Sequence, residues 1–116
     1  MKIWQQGMQI VKATYRLTSL LPKEEKYGIV SQMNRAAVSI PSNIAEGCSR
    51  NGEIDFKRFL EIAQGSAFEL ETQLIIIEEI GLMKSDSENF ISLITLIHEE
   101  QRMINSLITK IKTEHN

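Results

Sequence analysis

Residues 31–47 read SQMNRAAVSIPSNIAEG, a stretch in which apolar residues recur at helical spacing beside a row of polar ones. A second stretch, residues 58–73, carries polar side chains at matching intervals. Because residues three or four positions apart share one face of a helix, each stretch predicts a polar face, and the two faces can meet if the helices pack side by side. We name the two rows together the polar seam, which comprises Gln32, Arg35, Ser39, Asn43, Glu46, Arg58, Ser66, Glu69 and Gln73.

The remainder of the chain shows the same helical periodicity and contains no convincing strand. Short connections between successive helices favour antiparallel neighbours. The sequence therefore predicts an all-α fold, a single antiparallel up-down-up-down four-helix bundle that spans residues 1–116. The predicted helices cover about residues 3–20, 23–48, 53–80 and 86–112.

Two prolines set the expectations for helix two. Pro22 suits the first turn of a helix, so helix two is expected to start near Lys23. Pro41 lies in the middle of the predicted helix, where a proline removes one backbone hydrogen bond and costs about 3 kcal/mol. The apolar and polar rows keep their phase across Pro41, which favours a kink in one continuous helix. The alternative is two shorter helices that meet at Ile40.

Further residues in the sequence predict where helix three ends and where helix four starts. Gly81 follows the last apolar residue of helix three and is expected to close that helix in a left-handed conformation. Ser85 and Glu88 have the spacing of a capping box, in which the serine side chain accepts a hydrogen bond from the backbone N–H three residues later. Helix four is therefore predicted to start directly after Ser85.

A turn centred near residues 49–51 determines which residues of helices two and three face each other. Gly65 is expected to let the backbone of residues 36–39 approach closely. A buried Arg35–Glu69 pair would fix the alignment of the helices. The alternative places both ions in water at the edge of the bundle, where such pairs contribute about 0–1 kcal/mol. The predicted pairs are Arg35 with Glu69, Ser39 with Gly65 and Ser66, Asn43 with Glu61 and Ile62, Glu46 with Arg58, and Gln32 with Gln73.

Composition restricts the class of protein. The 116 residues carry a net charge of −2, which argues against the broad basic face typical of non-specific nucleic-acid binding. Cys48 is the single cysteine, so no disulfide can form within the chain. The amino-terminal segment is too polar for a signal peptide, and no apolar run reaches the ~20 residues that span a bilayer. We therefore expect a cytoplasmic bacterial protein without a membrane partner.

The sequence carries no enzyme motif. Cys48 sits at a predicted helix C-terminus, where the helix dipole disfavours a thiolate. The acid pairs at residues 78–79 and 99–100 are expected on solvated faces, because metal sites in helical bundles use Glu-x-x-His and Thr95 stands three residues before His98. His98 itself is expected at the surface or at the edge of the core. We predict no catalytic residue, no metal and no cofactor.

Arg50 and Lys57 are candidate contacts for nucleic acid, in a loose basic cluster with Arg58. The cluster lacks the interleaved exposed aromatic residues that stack on bases. Ordinary solvated charges are the alternative interpretation of these residues.

Three segments together resemble the bacterial four-helix bundle protein family, also called the 23S rRNA intervening-sequence proteins. They are residues 21–25 (LPKEE), residues 31–47, and residues 56–60 with 63–66 (FKRFL and AQGS). The resemblance implies an up-and-down bundle that assembles as a ring-shaped homopentamer. It also implies genes in intervening sequences of ribosomal RNA genes and elsewhere, and no established catalytic activity. The family pattern often has a second arginine where Asn34 stands.

Function follows partly from this resemblance and partly from the residues. A relative, the accessory variability protein of diversity-generating retroelements, is similar in fold and binds nucleic acid and a reverse transcriptase, but it is strongly basic. Helices one and three have apolar rows wider than one bundle requires, which favours self-association. We predict a non-enzymatic homo-oligomeric scaffold, pentameric by resemblance. The alternative is an accessory protein that binds RNA, DNA or a reverse transcriptase.

Overall fold

Four α-helices make up the computed structural model, which describes residues 1–115. The helices are α1 (Lys2–Thr18), α2 (Ile29–Cys48), α3 (Glu53–Glu79) and α4 (Glu88–Glu114), with a 3₁₀ turn at Lys23–Glu25 between α1 and α2. No strand occurs in this part of the chain. The prediction of an all-α protein with four helices is therefore confirmed.

Each helix packs against two others. Helix α2 contacts α1 and α3, and α4 contacts α3 and α1. The bundle measures 46 × 24 × 20 Å. Large apolar side chains fill its interior, and full burial of each stabilises the fold by about 1.5–3 kcal/mol. The largest fully buried residues are Ile10, Leu17, Met33, Ile40, Ile44, Leu60, Leu70, Leu74, Ile77, Leu93, Ile97 and Ile104.

The connection between α1 and α2 differs from the prediction. A continuous helix from Lys23 is wrong, because the chain makes one 3₁₀ turn there and α2 begins only at Ile29. Gly28 lies between them with non-helical dihedral angles (φ −106°, ψ −114°). Glycine leaves helical geometry at little steric cost. Periodicity missed this break because the apolar residues Tyr27 and Val30 keep their helical phase across the glycine.

Helix α2 continues through Pro41 without interruption. The alternative of two helices that meet at Ile40 is therefore wrong. Pro41 is buried against α1, since a Cβ atom built on Gly7 would lie 3.2 Å from Pro41 Cβ. This packing compensates part of the cost of the backbone hydrogen bond that the proline removes. A bend of the helix axis at Pro41 stays a prediction.

Helix α3 ends as the sequence predicted. Gly81 has a positive φ of 83°. Its N–H donates to the Glu78 carbonyl at 3.0 Å, and the Leu82 N–H donates to the Ile77 carbonyl at 2.8 Å. These two bonds form a Schellman motif, in which glycine adopts the left-handed conformation that satisfies the last carbonyl groups of a helix.

Helix α4 starts two residues later than predicted. Its N-cap is Ser87, whose side chain accepts a hydrogen bond from the Phe90 N–H at 3.4 Å, so the assignment of Ser85 is wrong. The Ser87 N–H donates to the Lys84 carbonyl at 3.1 Å, which places Ser85 inside a tight turn before the helix. The helix then continues to Glu114, beyond the predicted end near residue 112.

Candidate functional site

The centre of the polar seam is a short chain of hydrogen bonds between α2 and α3. Ser39 Oγ lies 2.8 Å from Ser66 Oγ, and Ser66 Oγ donates to the Ile62 carbonyl at 3.2 Å. Asn43 Nδ2 donates to Ser39 Oγ at 2.9 Å. Because each hydroxyl carries one proton, these contacts have a single direction, from Asn43 through Ser39 and Ser66 to Ile62. The structure thus brings Ser39 and Ser66 together.

Asn43 also makes a hydrogen bond to the backbone of its own helix. Its Nδ2 donates to the Ser39 carbonyl at 2.8 Å, one turn earlier in α2. Asn43 was expected near Glu61 and Ile62; within residues 1–115 it makes no hydrogen bond to Glu61, and its proximity to these residues stays a prediction. An amide that folds back onto the preceding turn satisfies itself locally, which leaves Ser39 as the donor across the seam.

The predicted Glu46–Arg58 pair is wrong. Glu46 Oε2 lies 3.0 Å from Arg50 Nη2, one turn later in sequence. The Arg58 guanidinium lies over the ring of Phe59, 5.5 Å from its centroid. Phe59 occupies the space between the helices at this height, because a Cβ atom on Gly47 would lie 2.9 Å from Phe59 Cβ. Close packing of Gly47 on α3 therefore displaces the charged groups to the surface.

A buried Arg35–Glu69 pair is also wrong. Both residues are exposed, and within residues 1–115 no ion pair joins them. They share the lining of a 320 Å³ cavity between α2 and α3 with Gln32 and Ser39. Both ions lie at the edge of the bundle in water, where the alternative interpretation placed them. Long charged side chains retain their hydration there, whereas burial would remove it.

Gln73 is the interior member of the seam on α3. Its side chain is buried, and its Nε2 donates to Glu69 Oε2 at a long 3.5 Å. Gln73 Oε1 has no partner among residues 1–115. Gln32, the expected neighbour, is exposed, and no hydrogen bond joins it to Gln73 within residues 1–115, so their proximity stays a prediction.

The close approach of two helices lies at a different glycine from the one predicted. A Cβ atom on Gly65 would meet nothing within 4 Å, so the expected contact with residues 36–39 is wrong. A Cβ atom on Gly47 would lie 2.8 Å from Phe56 Cδ1 and 2.9 Å from Phe59 Cβ. Gly47 is therefore the position where the absent side chain makes room for α3.

The position of Glu100 differs most from the one predicted from the sequence. We expected a solvated face, but Glu100 is 0% exposed. Both carboxyl oxygens lack a hydrogen-bond partner in residues 1–115. Burial raises the pKa of Glu100 to about 8, because the apolar interior disfavours the charged form. Its spacing of three from Ile97 and four from Ile104 was the signal for an inward position.

Near Glu100, exposed His98 and half-buried Gln101 both make hydrogen bonds with Glu71, which is itself half-buried. His98 Nε2 lies 2.9 Å from Glu71 Oε2, and Gln101 Nε2 donates to Glu71 Oε1 at 2.9 Å. The hydrogen bond from Gln101 is the main cause that lowers the pKa of Glu71. Within the described chain, no group of three or more His, Cys, Asp and Glu side chains is placed to hold a metal ion.

The basic residues near the α2–α3 turn are engaged with neighbours. Arg50 pairs with Glu46 and also lies over the Phe59 ring, 4.9 Å from its centroid. Lys57 Nζ lies 3.4 Å from Glu61 Oε2. The structure brings Arg50 and Arg58 onto one aromatic ring, but it turns Lys57 towards its own helix.

A concave apolar surface lies between α1 and α2, and we name it the α1/α2 groove. Its first part encloses 360 Å³. A second depression of 710 Å³ adjoins it at Val38 and is lined by Tyr15, Tyr27, Lys26 and Arg35 among others. The first part is lined by Trp4, Met8, Val11, Val38, Pro41, Ser42 and Ala45.

A second exposed apolar surface follows the outer face of α3, and we name it the α3 ridge. Its members lie on the side of α3 that faces away from the core, at intervals of six, seven, one and four residues along the chain. Phe68 in its middle is 52% exposed. The α3 ridge comprises Ile62, Phe68, Ile75, Ile76 and Ile80. Exposed apolar surfaces of this kind mark sites of interaction.

In residues 1–115, no helix has the length and apolar character needed to cross a membrane. Beside the polar seam, the surface carries two exposed apolar features, the α1/α2 groove and the α3 ridge.

Comparison with known proteins identifies relatives of this fold. The model of the 23S rRNA-intervening sequence protein family matches residues 1–106, which confirms the resemblance drawn from the sequence. A solved structure from Bacteroides thetaiotaomicron VPI-5482, a protein with unknown function from the S23 ribosomal protein family, has a TM-score of 0.82 and 23% identity to this chain. The match covers 91% of this chain and 97% of that one, and at this identity it shows a shared fold. Among curated proteins, none matches this chain.

Proposed function

Because the chain belongs to the 23S rRNA-intervening sequence protein family, we propose that it is a non-enzymatic scaffold that assembles with itself into a closed ring. The proposed ring has five copies, as the sequence resemblance implies, and acts in the cytoplasm. Each copy is an up-down-up-down bundle, an arrangement that the short connections and the Ser39–Ser66 contact support.

The observation that carries this proposal is the exposure of large apolar side chains on two separate faces. Trp4 in the α1/α2 groove is 40% exposed, and Phe68 on the α3 ridge is 52% exposed. Monomeric proteins rarely leave contiguous apolar patches in water, because covering them is favourable by roughly 25 cal/mol per Å². Contact between copies covers both faces at once.

Size-exclusion chromatography with light scattering tests the proposal. We expect a single species with five times the 13.2 kDa mass of the chain at micromolar concentration. A 13.2 kDa monomer at the same concentration overturns the proposal. A closed assembly of another number of copies would replace the pentamer while keeping the ring.

A second function, binding of nucleic acid, has one specific observation in its favour. Arg50 and Arg58 both lie over the ring of Phe59, at 4.9 Å and 5.5 Å from its centroid. Cyclic symmetry repeats such a cluster around a ring and strengthens its local field, so an acidic chain can still attract a polyanion.

Fluorescence anisotropy with a labelled single-stranded RNA and a labelled DNA duplex tests this second function. Binding through phosphate contacts weakens steeply as salt rises, and Arg50→Gln should reduce both the affinity and the salt dependence. The Lys57→Gln variant should have the smaller effect, because Lys57 is not one of the two arginines that lie over Phe59. Absence of binding at low salt excludes the function.

A further inference from the structure

The α1/α2 groove and the α3 ridge differ in charge as well as in shape. Residues 1–23 and 26–45 contain no aspartate or glutamate, and Lys26 and Arg35 line the wider depression of the groove. Residues 59–83 contain no lysine or arginine. The exposed acids Glu61 and Glu79 lie on the same side of α3 as the ridge, whereas Glu69 shares a cavity with Arg35 of the same chain. One surface is therefore concave and basic, and the other is convex and acidic.

From this complementarity we infer that the α3 ridge of one copy docks into the α1/α2 groove of the next copy. The inference rests on the proposed self-assembly and names the surfaces that carry it. The apolar residues of the ridge cover Trp4 and Val38, while the acidic residues beside the ridge face Lys26 and Arg35. Opposite charges around an apolar centre fix the orientation of two surfaces and exclude contact between two copies of the same face.

The contact is heterologous, because the two docking surfaces are different faces of one molecule. Contacts of this type close into a ring when the rotation between copies divides a full turn, and otherwise they extend into a fibre. A closed ring leaves no groove and no ridge exposed, which is why both surfaces can be apolar in a protein that stays in solution.

The positions of residues along the long axis of the bundle, here called heights, identify which residues of two neighbouring copies meet in the proposed contact. The contact between Ser39 and Ser66 places Val38 and Phe68 of the same chain within about 1.5 Å of the same height, since each helical residue rises 1.5 Å. We take the rotation axis of the proposed ring as parallel to the helices, an arrangement that shifts no copy along the bundle. Val38 of one copy and Phe68 of the next copy therefore lie at the same height, in the middle of the contact.

Aspartate substitutions at these two positions test the inference by sedimentation velocity and native mass spectrometry. Val38 and Phe68 are 41% and 52% exposed, so a carboxylate at either site is tolerated by the folded chain. Ile91→Asp is the matched control, because Ile91 is 49% exposed on α4 outside both surfaces. Far-UV circular dichroism and thermal unfolding check that all three variants are folded.

We expect Val38→Asp and Phe68→Asp each to convert the assembly into folded monomers, and Ile91→Asp to leave its mass unchanged. Phe68→Ser, a smaller perturbation, should give a partial loss. Assembly that survives both aspartate variants overturns the groove-and-ridge contact while the scaffold proposal stands. A wild-type chain that is itself monomeric overturns the scaffold proposal, so the two failures are distinguishable.

Discussion

Ser39 Oγ lies 2.8 Å from Ser66 Oγ, and this contact fixes how α2 is aligned with α3. It lies at the middle of both helices, so it relates the heights of residues on either side of it. Further contacts, of Gly47 with Phe56 and Phe59, lie closer to the α2–α3 turn and agree with the same alignment. In the proposed assembly, this alignment sets which groups two neighbouring copies present to each other.

The Ser39–Ser66 hydrogen bond should contribute measurably to stability. We expect Ser39→Ala and Ser66→Ala each to lower the free energy of unfolding by about 1 kcal/mol, since a buried hydrogen bond contributes about that amount. The double variant should lose less than the sum, with a coupling of at least about 0.5 kcal/mol. Urea unfolding of the wild type, the two single variants and the double variant measures this coupling. Strictly additive losses would show that the two hydroxyls do not interact.

Stability should depend on pH through Glu100. Below about pH 4.5 the carboxyl is protonated in the folded and the unfolded chain, so it adds no pH dependence. Between the ordinary value of 4.5 and the raised value of about 8, the unfolded chain has lost a proton that the folded chain retains. The free energy of unfolding therefore falls by up to about 1.4 kcal/mol per pH unit in this window and levels off above it.

Urea unfolding from pH 4 to pH 9 at fixed protein concentration measures this effect. Glu100→Gln should remove the slope, because an amide does not titrate in this range. Glu79→Gln, which changes an exposed carboxylate of α3, is the control and should keep the wild-type slope. If the free energy of unfolding depended on pH equally in the wild type and in Glu100→Gln, the buried carboxyl of Glu100 would not be neutral.

Two glycines should respond oppositely to alanine. Gly47→Ala should lower the free energy of unfolding by about 1–3 kcal/mol, because the new methyl group overpacks the contact with Phe56 and Phe59. Gly65→Ala should raise it by up to about 1 kcal/mol, because its methyl group enters open space and alanine favours the helix. Thermal and urea unfolding compare the two, and a gain in stability for Gly47→Ala would disprove the close approach at that glycine.

Regular spacing along the sequence predicted the parts of the structure that depend on it. Apolar periodicity located four helices, and a turn near residues 49–51 was enough to pair Ser39 with the stretch that contains Ser66. Small polar side chains reach only their immediate neighbours, so the alignment of two helices largely determines their contacts.

Positions of long charged side chains, and positions that depend on distant parts of the chain, were not predictable in the same way. Arg58 contacts Phe59 and not Glu46, because its long side chain can choose among several partners at the surface. Glu100 is buried because Gly7, far away in sequence, leaves space beside it: a Cβ atom on Gly7 would lie 3.3 Å from Glu100 Oε2. Sequence spacing on α4 indicates the inward direction of Glu100, but it carries no information about the opposing surface that leaves room for the carboxyl.

The most direct test of assembly through the groove and the ridge is native mass spectrometry of Val38→Asp mixed with Phe68→Asp at equal concentration. Val38→Asp keeps an intact ridge, and Phe68→Asp keeps an intact groove. One intact contact remains per pair, so the account predicts a heterodimer with one copy of each variant and no larger species. A mixture that stays monomeric, or that rebuilds the wild-type assembly, would contradict it.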